Sequence, residues 1–232
     1  MREIIFDTET TGFDAEGADR IVEIGAIELD GLIPTGKSYH TLIDPERDMP
    51  AEAAKVHGHT TESLRGQPKF AEIVDDFLGF IGTEANLVAH NAGFDLGFVN
   101  AELVRTGRSK LPRARIVDTL ALARTKFPGA KLTLDALCNR FGIDLSKRVK
   151  HGALLDAELL ADVYVELRGG RQRGMALEVA APARNAAPVI SASARTDWPV
   201  RHFSITKAEA ERHRSFLTAL TKPIWDRFPD AP

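Results

Sequence analysis

Cysteine is almost missing from this chain: Cys138 is the only one in 232 residues. An internal disulfide and a cysteine-based metal site are thereby excluded, and a reducing compartment fits. Within Leu137-Cys138-Asn139 the thiol reads as a small buried hydrophobe. Long apolar runs are also absent. No segment approaches the roughly 18 apolar residues of a membrane span, and Met1-Arg2-Glu3 leads straight into a short strand rather than into a secretory signal. A cytoplasmic protein without membrane association is expected. Positive charge is not in excess either: 30 basic and 33 acidic residues leave a formal charge of -3. A chain of this balance has no broad cationic surface for gripping duplex DNA, so a nucleic-acid enzyme built on it contacts few phosphates and needs help to stay bound. No internal repeat is present.

The chain does have enough apolar material, 44% of its residues, for one full core with an appendage. Ile4-Ile5-Phe6 and the run from Ile21 to Leu29 predict two strands, and a third near Tyr39 to Ile43 completes a meander. Phe70, Ile73, Val74, Phe77, Leu78 and Ile81 recur at helical steps, which predicts a helix over 70–81. Leu87-Val88-Ala89 reads as a buried strand and Phe94 to Val104 as a helix. Ile116-Val117 is the last strand, with helices beginning at Leu120, at Leu132 and at about Gly152. Strands first and helices later predict an α/β domain over 1–170, a mixed five-stranded sheet flanked by helices. A Gly- and Arg-rich breaker cluster then leads into residues 178–197, rich in Ala, Pro and Ser, which read as a flexible linker. Beyond it Val200 to Ile205 reads as a short strand. Thr206 is a helix N-cap with Glu209 three residues on, opening a helix over Ala208 to Thr221. The 198–232 tail is too short for its own core and should order against a partner.

Carboxylates carry the chemistry. Asp7 and Glu9 sit two apart at the end of an apolar strand, so both project to one face. Acids held that close repel unless a cation lies between them, and hard oxygen ligands favour Mg²⁺ or Mn²⁺; the plainer alternative is a solvated strand end. Asp95 follows Val88-Ala89-His90-Asn91-Ala92-Gly93-Phe94, where a strand gives way to a helix and open α/β sheets bind ligands. It could equally be a helix-start acid stabilised by the macrodipole. Asp156 lies in a helix apolar around most of its circumference, where a carboxylate needs a partner or a metal. His151 is five residues earlier, about 500° away on a straight helix, so the two meet only if Gly152 opens a loop. An imidazole with a pKa near 6.5 suits a general base, though a histidine beside a helix start is often a cap.

The segments Asp7-Thr8-Glu9-Thr10-Thr11-Gly12, His90-Asn91-Ala92-Gly93-Phe94-Asp95 and His151-Gly152-Ala153-Leu154-Leu155-Asp156 together resemble the three motifs of the proofreading-type exonuclease family with four acidic residues and a histidine. The likeness spans residues 1 to about 170 and includes Leu134-Asp135-Ala136-Leu137-Cys138. It implies a ribonuclease H-like fold and a 3′–5′ exonuclease that hydrolyses phosphodiesters with two divalent metal ions. By that resemblance Asp7 bridges the ions, Glu9 and Asp156 complete one site, Asp95 supports the second and His151 is the base. Thr10, Phe13, Val56, His57, Asn91 and Phe94 would surround the terminal nucleotide at a DNA 3′ end, with Phe13 as a wedge. His57 and His59 read as neighbouring loop histidines, of which only His57 is given a role. Asp118 matches a recurrent family acid but reads as a helix cap.

Gln172, Met175 and Leu177, in segment 171–177, resemble the short clamp-binding peptide that follows such nuclease domains, an implied contact with the sliding clamp. Phe203 to Phe228, with Leu217, Leu220, Ile224 and Trp225, is similar to a tail that binds a replicative polymerase subunit. Tethering of both kinds would supply the residence that the acidic composition withholds. Rival readings are a free-standing family member acting on RNA or repair intermediates, and a non-catalytic scaffold between clamp and polymerase. A third, an aspartyl-phosphate phosphotransferase, has the wrong second acid in Asp7-Thr8-Glu9.

Overall fold

Alternation along β1 (Arg2–Thr10) sorts its side chains between two layers. Ile4 and Phe6 enter one apolar cluster with Phe70, Phe77 and Phe98, while Ile5 enters another with Leu160 and Tyr164. Two buried faces of this kind demand cover on both sides of a sheet, and the chain supplies it. The structure, a computed structural model, describes residues 1–146, 148, 150–170 and 205–220.

β1 pairs antiparallel with β2 (Ile21–Asp30), which pairs antiparallel with β3 (Ile33–Leu42). On its other side β1 runs parallel to β4 (Asn86–Ala89), and β4 parallel to β5 (Ile116–Asp118), so the order is β3-β2-β1-β4-β5. The mixed five-stranded sheet is therefore present. Helices α1 (Ala51–His57), α2 (Thr61–Leu64) and α3 (Phe70–Ile81) lie between β3 and β4. α4 (Gly93–Arg105) joins β4 to a 3₁₀ turn and β5, and α5 (Thr119–Lys126), α6 (Leu134–Phe141) and α7 (Ala153–Leu167) follow. α3 and α4 cover the face with Ile4 and Phe6; α7 covers the face with Ile5.

α3 has the expected limits. α6 starts at Leu134 rather than Leu132, because the Thr133 hydroxyl caps it by accepting the Ala136 N–H at 3.3 Å. α1 and α2 were not expected: they are short, and each buries only one residue, His57 and Leu64 respectively, so neither shows an apolar period.

Gly25 of β2 positions α7. A Cβ there would lie 2.1 Å from the Leu154 nitrogen and 2.2 Å from the Ala153 carbonyl carbon. Only a glycine lets the first turn of α7 rest on the sheet, opposite Asp7 in the strand register.

Residues 1–177 and 178–232 form two units. In the second, α8 (Lys207–Thr218) begins at Thr206, whose hydroxyl accepts the Glu209 N–H while Glu209 accepts the Thr206 N–H, the expected capping box. It ends three residues before Thr221. Ile205, Phe216 and Leu220 are exposed. The clamp-peptide residues Gln172, Met175 and Leu177, the 178–197 linker, the strand residues Arg201 to Ser204 and the tail residues Ile224 and Trp225 lie outside the described residues.

Candidate active site

The three motifs meet at the carboxyl ends of β1 and β4. Asp7 and Glu9 point to the α7 side, as does Glu3 four residues before Asp7, which accepts the Tyr164 hydroxyl at 2.7 Å. Asp95, in the first turn of α4, is buried and locked to β1: its Oδ1 accepts the Thr8 hydroxyl at 2.8 Å and the Thr8 N–H at 3.1 Å. Asp156, in the first turn of α7, is buried as well. Gly152 is the N-cap of α7 and leaves His151 outside the helix, so the imidazole folds back and its Nδ1 lies 3.1 Å from Asp156 Oδ2. The 500° obstacle is removed in the anticipated way.

All four acids and His151 line one cavity of about 900 Å³. Ligand atoms of Glu9, His151 and Asp156 fall within 4.8 Å of one another; Asp7 and Asp95 are outside that tight set but share the cavity. Burial, followed by repulsion from Asp95, Glu9 and Asp156, raises the Asp7 pKa well above the usual carboxylate range. Burial and Asp156 push Glu9 up to about 8, and burial pushes Asp95 to about 7 against its hydrogen bonds from Thr8. A carboxylate cluster this reluctant to ionise fits a divalent cation, which would restore the charged forms.

The partner that Asp156 requires is Arg148, a residue the motifs did not single out. Its Nε donates to Asp156 Oδ1 at 2.6 Å and its Nη2 to Oδ2 at 2.7 Å, a two-pronged pair almost sealed from solvent. Nη1 bonds Asp135, and Nη2 is also 2.8 Å from His151 Nδ1. The only sequence signal for it was its place in the basic stretch Lys147-Arg148-Val149-Lys150 just before His151.

A second cavity, about 510 Å³, adjoins the first along Thr8, Glu9 and Phe94. It gathers Thr10, Phe13, Val56, His57 and Phe94; Asn91 lines the acidic cavity instead. Phe13 is 92% exposed, with its ring 6.2 Å from that of Phe94. His57 is not in a loop: it is the buried last residue of α1. His57 Nδ1 accepts the His59 N–H at 3.1 Å, leaving the proton on Nε2, which has no hydrogen-bond partner among the described residues. Burial lowers the His57 pKa despite the nearby Thr10 backbone.

Glu23, also outside the motifs, anchors this region. It accepts from His40 and His59 at 2.8 Å each, and these bonds outweigh burial to lower its pKa. Asp118 is the cap expected of it, N-capping α5 through Leu120 and accepting the Asn91 N–H at 3.0 Å. Asn91 is thereby held at φ 64, a left-handed conformation that asparagine tolerates.

The family model for exonucleases matches residues 4–164. The chain is 47% identical over 228 residues to DNA polymerase III subunit epsilon of Rickettsia conorii, covering 97% of this chain and 99% of that one. With the subunit of the same name from Escherichia coli it shares 39% over 230 residues, 95% and 94% of the two chains. A solved structure, the zinc-bound form of the Escherichia coli ExoI–ssDNA complex, superimposes with a TM-score of 0.63 at 19% identity. It covers 73% of this chain and 41% of that one, a likeness of fold. The chain belongs to the exonuclease family, as a 3′–5′ proofreading exonuclease of the group named DNA polymerase III subunit epsilon.

Proposed function

We propose that the chain shortens DNA from its 3′ end by metal-assisted phosphodiester hydrolysis, releasing nucleoside 5′-monophosphates beside a replicative polymerase. The observation that carries this reading is the convergence of Asp7, Glu9, Asp95, Asp156 and His151 in one cavity. The four carboxylates would hold two divalent ions, Mg²⁺ or Mn²⁺. When bound, such ions supply the positive charge that makes water more acidic and stabilises a departing phosphodiester oxygen.

The remaining work falls to protein side chains. His151, beside Asp156, is the residue that would accept the proton of the attacking water, at Nε2. Water then bonds to phosphorus while the 3′ oxygen of the preceding nucleotide leaves. Phe13, Val56, Phe94 and Thr10 enclose the terminal nucleotide, with Phe13 wedged against its base; a stack of this type tolerates any base. His57 offers its unpaired Nε2–H to that nucleotide, and Asn91 contacts it from the acidic side. Arg124 and Lys131 line the acidic cavity and form no ion pair among the described residues, so they are the cations free to meet phosphates of the incoming strand.

Segment 198–232 would bind the polymerase and Gln172, Met175 and Leu177 the sliding clamp, with 178–197 as the flexible joint after a 1–170 nuclease domain. The Rickettsia relative matches 97% of the chain, tail included, which favours this over a free-standing nuclease. Such tethering raises the local concentration of nuclease at the primer end.

The test is digestion of 5′-labelled single-stranded DNA with Mn²⁺ or Mg²⁺. A ladder shortening from the 3′ end, absent with EDTA and with Asp7→Ala, is expected. No cleavage by folded, metal-supplied protein would overturn the catalytic reading.

A further inference from the structure

Arg148 engages the oxygens through which Asp156 would hold a metal ion. Its Nε and Nη2 take both oxygens of Asp156, and the same Nη2 reaches His151 Nδ1. Glu9, His151 and Asp156 are the one group of acidic and histidine ligands close enough to share an ion among the described residues, and Arg148 engages two of the three. A carboxylate oxygen cannot give its lone pairs fully to a guanidinium and to a divalent ion at once. The contact also affects the base: an N–H donated into His151 Nδ1 leaves the proton on Nε2, the tautomer that cannot accept one there.

We propose that Arg148 is a displaceable counter-cation and positioning residue. It neutralises Asp156 in the metal-free protein, lowers the affinity of the Glu9–Asp156 site for a divalent ion, and holds His151 in its inactive tautomer until it is displaced. The inference rests on the metal-site reading above.

Two further features favour such an exchange. Arg148 lies between α6 and α7 and belongs to neither helix, so its side chain can withdraw without carrying a helix with it. Its third contact, Asp135, is 54% exposed and separate from the acidic motifs, so the guanidinium keeps an anionic partner at the cavity rim after leaving Asp156. The guanidinium is suited to the resting role because its fork fits a carboxylate at two points, which a lysine ammonium does not.

The experiment is Mn²⁺ titration of the full chain, followed by electron paramagnetic resonance, for wild type, Arg148→Met, Arg148→Lys and Asp156→Asn. If Arg148 occupies Asp156 about nine-tenths of the time, its removal tightens apparent Mn²⁺ affinity about tenfold. Arg148→Met should show that tightening and Arg148→Lys a smaller one. Thermal melting gives a second readout: Arg148→Met should melt below wild type in EDTA, with the gap narrowing at saturating Mn²⁺. Unchanged or weaker Mn²⁺ binding in both Arg148 variants would overturn the proposal. Should Arg148→Met not fold without metal, Arg148→Lys decides alone. Asp156→Asn separates the two readings: it should lose an Mn²⁺ site, and wild-type binding there would remove the metal-site reading itself, whatever the Arg148 variants do.

Discussion

The two adjoining cavities share Thr8, Glu9 and Phe94 as a common wall yet differ in almost every other respect. The acidic cavity is made of charged groups drawn from β1, α4, the α5–α6 region and α7, and burial makes Asp7, Glu9 and Asp95 bind protons more tightly than free acids do. The neighbouring cavity is bounded by the end of β1, the loop after it and α1, with Phe13, Pro50, Ala53 and Val56 supplying apolar surface. On the proposed function, such a division would separate bond breaking from recognition, with charge concentrated where a phosphate would react and sequence-tolerant apolar contact where a base would be held. Substitutions on the two sides should therefore leave different kinetic marks.

The largest effect belongs to the acidic side. Asp7→Ala should reduce nucleotide release from labelled single-stranded DNA to background while circular dichroism and melting remain near wild type. It is a cleaner probe than Asp156→Ala, which also removes one of the two carboxylates that hold the nearly buried Arg148 guanidinium and so perturbs stability as well as chemistry. Turnover persisting in Asp7→Ala would break the division at its centre. His151→Ala should slow cleavage by about 10²- to 10⁴-fold, the range of a lost general base; a rate within a factor of two of wild type would make His151 structural.

On the apolar side, Phe13→Ala should act on binding. Loss of one base stack, worth roughly 1–3 kcal/mol, raises KM by about 5- to 150-fold with a smaller change in kcat. A fall in kcat at unchanged KM would merge the two cavities into one functional unit.

Stability gives a further contrast. In metal-free protein Glu9 at about 8 and Asp95 at about 7, against ordinary values of 4.5 and 3.8, hold protons that the unfolded chain has released. Their contribution is complete below about pH 4 and is lost as pH rises towards about 8. Melting in EDTA should accordingly fall between pH 5 and pH 8.5, by roughly 2–4 °C for each kcal/mol lost, and Mn²⁺ should remove most of the fall. A flat profile in EDTA would show that the carboxylates are already compensated. The smallest effect is that of Lys131→Ala or Arg124→Ala: each should lower the slope of log affinity for single-stranded DNA against log salt by about 0.7, the loss of one phosphate contact. An unchanged slope would assign the phosphates to other residues.

Legibility in the sequence followed the range of the interactions. α3 was readable to its ends because its apolar residues repeat within one helix. The shared orientation of Asp7 and Glu9 follows from strand alternation alone. α1 was not readable, since its burial is confined to His57, and the placement of His57 beneath the apolar cavity depends on that helix. Arg148 and Glu23 carried no motif. Their importance comes from partners that folding brings to them: Asp156 and Asp135 for one, His40 and His59 for the other.

Local periodicity and three short motifs were enough to specify the mixed sheet, the acids and the histidine, because strand alternation, helix spacing and Gly152 act over a few residues. The tertiary structure alone decided that Thr8 clasps Asp95 across 87 residues, that Gly25 lets α7 settle on β2, and that a guanidinium guards Asp156. Each of these depends on where distant backbone segments come to rest, which is fixed by packing the two faces of the sheet.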